Sequence, residues 1–218
     1  MRGPRAARWA LVAWLAVCVT TTTATVSGSA TARREHRLVL VAPSLTDGRV
    51  GHLRDAMAFW NRTLQELALD IQIVEIRTLV APDETDALEN YTRQIWQQAG
   101  RIRGGVGGPA EPDEVSDLGG DVVVFLSVQP TMSFAWPLDA DRHFVAVPAE
   151  PGSRFQRAGS TPNVLAHELG HTLGLIHHRD PLVLMCSPCR PSLGAKDADG
   201  YLPLTETDRD LLRARYIH

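Results

Sequence analysis

Eleven residues, His167-Glu168-Leu169-Gly170-His171-Thr172-Leu173-Gly174-Leu175-Ile176-His177, restrict this chain more than any other part of it. His167 and His171 are four apart, so on a helix both imidazoles project from one face and can share a metal. Glu168 follows the first of them, where its carboxylate reaches a water on that metal without ligating the metal itself. Gly174 suits the left-handed conformation that ends a helix, turning the chain so that His177 returns as a third ligand. Three neutral imidazoles leave the fourth position of a tetrahedral zinc open, the arrangement of a catalytic rather than a structural ion. At this composition the five fixed residue types match by chance on the order of 10⁻⁵ to 10⁻⁴ times per chain. Two surface histidines beside a capping glycine are therefore the weaker reading. Thr161-Pro162 begins the helix, with a capping hydroxyl and a proline in the first turn.

The rest of the chain must supply a frame for this helix. Its 218 residues, 44% hydrophobic and 22% charged, describe an ordinary globular protein with one domain's worth of sequence. With Lys+Arg 22 against Asp+Glu 25, there is no basic excess to neutralise phosphates, so no nucleic-acid partner is expected. Residues 1–32 read as a secretory signal peptide. Arg2, Arg5 and Arg8 precede an apolar run from Trp9 to Val19, and a tail of Thr, Ser, Ala and Gly ends in the small-x-small site Ala30-Thr31-Ala32. A bilayer span needs about 20 apolar residues, so no stable membrane span is expected after cleavage. Val17 stands before Cys18 where a lipid anchor needs a small residue. The expectation is a secreted, monomeric single domain over 33–218. Removing the three leader arginines leaves 19 basic against 25 acidic groups there.

Two of the three cysteines, Cys186 and Cys189, fall in that domain. In an oxidising compartment this pair reads as a local disulfide. A redox-active pair needs a strand-to-helix setting, and Met185 and Pro188 indicate a turn instead.

Arg37–Ala42 reads as a short strand ended by Pro43. Leu53, Met57, Trp60, Leu64 and Leu67 recur at helical spacing, predicting an amphipathic helix over 48–69. Ile71–Ile76 is a second strand, and Thr85–Gly100 a second helix with Leu88, Tyr91, Ile95 and Ala99 on one side. Gly104–Asp117, rich in Gly, Pro and acids, reads as a loop or insertion. Asp121–Val128 is too uniformly apolar to be exposed and belongs in mid-sheet. Segments 131–136 and 142–147 are short strands that include an edge. Thr205-Glu206-Thr207-Asp208 is a capping box opening a C-terminal helix with Leu211, Leu212 and Tyr216. Strand–helix–strand units followed by a helix make a layered α/β (α+β) domain. Two sequons, at Asn61 and Asn90, fall inside expected helices and are read as chance.

HExxHxxGxxH is the zinc motif of the metzincin endopeptidases, and the chain resembles that family. The flanks VLAHELGHTLGLIHH and LTETDRDLLRARY are similar to the matrixin branch, as is the placing of Leu184-Met185 eight residues after His177. The resemblance implies a metzincin-like catalytic domain: a twisted mixed sheet with an antiparallel edge strand, an active-site helix and a C-terminal helix. It also makes Met185 the Met-turn residue, packed under the zinc without binding it. The chain departs from the pattern in several places. No tyrosine closely follows Met185 to act as a fifth ligand. Cys186-Ser-Pro-Cys-Arg190 replaces the matrixin Pro-x-Tyr, and no cysteine-switch propeptide is expected between the leader and the first strand. Snapalysins have Asp as third ligand where this chain has His177, and archaemetzincins carry four structural cysteines.

The implied reaction is hydrolysis of a protein or peptide substrate by a zinc-activated water, with Glu168 as general base and one catalytic Zn2+. A peptide would lie extended along an edge strand within 131–147. The loop 186–204 would shape the pocket after the cut, with Arg190 disfavouring basic side chains there. His178 competes with His177 as third ligand, but the glycine-to-histidine spacing favours His177 and leaves His178 exposed or near the substrate. His143 reads as a surface or packed histidine. Asp197-Ala-Asp199-Gly200 resembles half a calcium loop, which makes Ca2+ a secondary metal reading. The alternative function is a catalytically inactive, zinc-containing binding module. Glu168, which such a module has no reason to keep, favours the enzyme.

Overall fold

A computed structural model describes residues 33–99, 108–149, 161–189 and 199–217. Residues 1–32, expected to be a signal peptide, lie outside the described residues, as do Arg190 and Asp197. Five strands form one sheet: β1 (Arg34–Ala42), β2 (Ile71–Val80), β3 (Val122–Ser127), β4 (Phe134–Pro137) and β5 (His143–Pro148), in the order β2-β1-β3-β5-β4. Four are parallel, and β4 runs antiparallel to β5 at one edge. Helices α1 (Gly48–Glu66), α2 (Thr85–Ala99), α3 (Asp113–Leu118), α4 (Thr161–Thr172) and α5 (Glu206–Tyr216) complete the described elements. None of them is long and apolar enough to cross a membrane.

The uniform apolarity of β3 has its cause in two covered faces. Val122, Val124 and Leu126 join the core beneath α1 and α4, with Leu38, Leu40, Val145 and Val147 from the flanking strands. Val123 and Phe125 join a second core with Leu88, Tyr91 and Ile95 of α2 and with Val115 and Leu118 of α3. A parallel strand covered on both sides has no polar face to alternate with.

Several boundaries differ from the sequence expectation. α1 stops at Glu66, because Leu67 caps it and Ala68 takes φ +55° to lead into β2. β2 continues to Val80, since it pairs along all of β1, with a register shift between Leu38 and Val39 that leaves Ile76 as the extra residue. The expected loop 104–117 is corrected over its described part: Asp113–Leu118 is helical, and the acids that suggested solvent are its first turn. There they face the positive end of the helix, while Val115 and Leu118 are buried. Asn61 is spent within the fold. Its amide donates to Ile73 O (3.0 Å) and accepts from Ile73 N (2.8 Å), tying α1 to β2.

Three polar anchors place α4 on this frame. Trp60 of α1, fully buried, donates its indole N–H to Ala166 O (2.8 Å). Asn163 accepts from Leu202 N (2.8 Å) and donates to Gly200 O (3.2 Å). Thr172 gives its hydroxyl proton to Leu169 O (2.8 Å), so it accepts from His36 Nε2–H of β1 at 3.2 Å. Each satisfies a group that burial would otherwise leave unpaired.

Candidate metal centre

α4 carries His167 and His171 on one face, and the helix ends where the sequence requires. Gly174 takes φ +93°, a conformation disfavoured for residues with a side chain. Gly174 N bonds to His171 O (2.9 Å) and Leu175 N to Gly170 O (3.0 Å). The reversed chain brings His177 back over the helix. The three Nε2 atoms form a near-equilateral triangle: 3.2 Å for His167–His171, 3.1 Å for His167–His177 and 3.0 Å for His171–His177.

Hydrogen bonding on the opposite ring nitrogens shows what two of the rings present to the centre of this triangle. His167 Nδ1 lies 2.7 Å from Leu184 O, and His171 Nδ1 lies 2.8 Å from Leu175 O. A carbonyl only accepts, so in both rings Nδ1 carries the proton and Nε2 presents its lone pair to the centre. Two lone pairs converging at this distance repel unless a cation lies between them. Imidazole nitrogens bound at about 2.0–2.1 Å around one tetrahedral ion stand about 3.3 Å apart. The triangle matches that spacing, and its donor set is that of zinc. Burial holds all three imidazoles toward the neutral, metal-binding form, His167 down to about 4. Among the described residues, one other cluster has ligand chemistry: His167 with Cys186 and Cys189. Its two sulfurs are joined in a disulfide, so the imidazole triangle is the one left open.

Glu168 sits on the buried side of the same helix and is 6% exposed. Burial pushes its carboxyl up to about 8, against the pull of the Ala135 backbone N–H that bonds to it. Ala135 is in β4, so the edge strand and the carboxylate are in direct contact. A cation at the triangle acts in the opposite sense to burial and favours the ionised form.

Met185 is fully buried and supports α4 from below. A Cβ on Gly170 would lie 2.6 Å from Met185 Sδ and 3.0 Å from the Trp60 ring. Gly170→Ala is accordingly expected to cost about 1–3 kcal/mol by overpacking, read as a lower denaturant midpoint. An unchanged midpoint would mean that Met185 moves aside freely. Leu184 and Met185 serve the site through their backbone as well, with Leu184 O orienting His167 and Met185 O accepting from His178 N (2.6 Å).

His178 is not placed as expected. Its ring points away from the triangle and bonds Asp208 Oδ1 of α5 at 2.8 Å. This corrects the reading of an exposed or substrate-facing histidine; the reason is a buried carboxylate on α5 that needs a donor. His143, at the start of β5, is packed, with Nδ1 buried and no hydrogen-bond partner, and burial holds its imidazole down to about 4. Asp199 pairs with Arg62 of α1. Sequence reasoning missed Trp60, Asn163, His36 and Thr172 as supports of α4. The bonds of Trp60, Asn163 and His36 join residues at least 37 positions apart, so no local pattern marks them.

No protein-family model matches the chain, and no curated protein matches it. The solved structures to which it is similar include three chains, each at 14% identity. One belongs to the structure of a chaperone–substrate complex (TM-score 0.47, covering 85% of this chain and 35% of that one). One is metalloproteinase-II from Bacteroides fragilis (TM-score 0.47, 87% and 55%). The third is an archaemetzincin from Methanopyrus kandleri (TM-score 0.42, 85% and 97%). This chain thus spans about a third of the first and about half of the second. The functional reading rests on the histidine triangle and its carboxylate.

Proposed function

We propose that the chain is a secreted zinc endopeptidase of the matrixin-like metzincin kind, with His167, His171 and His177 as ligands and Glu168 as general base. The observation that carries this is the convergence of the Nε2 atoms beside a buried carboxylate on the same helix. Zinc held there supplies Lewis acidity toward a scissile carbonyl and lowers the pKa of water. The protein's own share is positional and protonic. Glu168 takes a proton from the attacking water and returns it to the leaving amine, a relay that needs a carboxylate fixed in place. The Ala135 N–H fixes it. β4, as an edge strand, offers main-chain groups for an extended peptide, which brings a peptide bond to the carboxylate's side of the site. Met185 is the Met-turn residue in this reading, and Arg190 remains the candidate selector in the following pocket.

Digesting an unfolded protein mixture with the purified protein, and sequencing the products by mass spectrometry, tests the proposal. Cuts that vanish with a chelator and return with zinc are expected. A folded, zinc-loaded protein that makes no cuts would mean instead the inactive binding module.

A further inference from the structure

Past Gly174, the chain that presents the third ligand has few supports. Leu175 is fixed by two backbone bonds: its N–H donates to Gly170 O (3.0 Å) and its carbonyl accepts from His171 Nδ1 (2.8 Å). Ile176 is 62% exposed, and His177 is exposed as well. The next fixed point is His178, held on three sides. Its N–H bonds Met185 O (2.6 Å), its carbonyl accepts from Ser187 N (2.8 Å), and its ring reaches Asp208 Oδ1 (2.8 Å) with Thr205 Oγ1 at 3.3 Å.

Asp208 is 0% exposed and does two jobs with two oxygens. Oδ2 accepts from Thr205 N (2.9 Å) and from the Thr205 hydroxyl (2.8 Å), closing the capping box of α5. Oδ1 receives His178. The cap alone satisfies Oδ2, so a buried oxygen is left whose donor comes from the ligand-bearing loop. A buried acceptor without a donor costs about 1–3 kcal/mol, more when charged, and that cost holds His178 in place.

We propose that His178 is a positioning residue for His177, pegging the ligand loop to Asp208 on α5 and thereby setting the metal affinity of the triangle. The inference rests on reading the triangle as a zinc site. Groups that orient ligands without touching the metal typically change affinity about 10–100-fold when removed. His178 acts through one peptide unit, so the lower end applies.

The test is zinc affinity by competition with a chromophoric chelator, together with the visible spectrum of the Co(II)-loaded protein. His178→Phe is expected to weaken zinc about 10-fold and to shift the cobalt bands. His178→Gln, whose amide still donates to Asp208, should recover most of both. Arg213→Ala, which removes exposed ion pairs with Glu206 and Asp210 on the same helix, should change neither. A His178→Phe protein with wild-type affinity and spectrum overturns the inference, as does a glutamine variant no better than phenylalanine, or an Arg213→Ala variant equally weakened. A wild-type chain that binds no zinc overturns the metal-centre reading, and this inference with it.

Discussion

Replacing Glu168 with glutamine is expected to slow peptide hydrolysis by about 10²–10⁴-fold while zinc affinity stays within a factor of about three. The two side chains have the same shape, and the glutamine oxygen can still accept from the Ala135 N–H, so the variant folds with its edge-strand contact intact. What it lacks is the ability to take up a proton and release it again. Initial rates on a quenched peptide, with zinc affinity measured in parallel, separate the two properties. Loss of affinity matching the loss of rate would make Glu168 a structural support and remove it from the proposed mechanism.

The second large effect is thermal. A ligand that binds only the folded state stabilises it by about 4 kcal/mol when its free concentration is about 1,000 times Kd. For a domain of this size each kcal/mol shifts Tm by about 2–4 °C. Zinc in that excess should therefore raise the wild-type Tm by about 8–16 °C in scanning calorimetry. His171→Ala should abolish the shift, because it removes the vertex common to the 3.2 Å and 3.0 Å edges of the triangle. A variant that keeps the full shift would place the ion elsewhere.

The parts of this molecule legible in the sequence are those set by local geometry. Four-residue spacing on a helix and a glycine that reverses it require no knowledge of the fold, so His167, His171 and His177 meet as their spacing predicts. β3 announces its position by having no polar face, and Thr205-x-x-Asp208 announces a helix start. What stayed hidden depends on distant approach. The cap of Asp208 is a pattern; the partner of its other oxygen, 30 residues away, is not. α3 was concealed by brevity, since six residues with acids in the first turn resemble a loop until Val115 and Leu118 are seen buried. β2 was undercounted because its last four residues are held by pairing with β1 and not by their own apolar alternation.

α5 closes onto the segment that follows the ligand helix at three points: Tyr216 donates to Leu173 O (3.3 Å), the Arg215 side chain lies against Gly174, and Asp208 holds His178. Polypeptide emerges from its amino end at about 5–20 residues per second, and α5 is made after every other element described. During synthesis the histidines therefore exist as a sequence before they are held as a site. The loop that carries His177 gains its peg at Asp208 only once α5 has been made, a delay written into the order of the described elements.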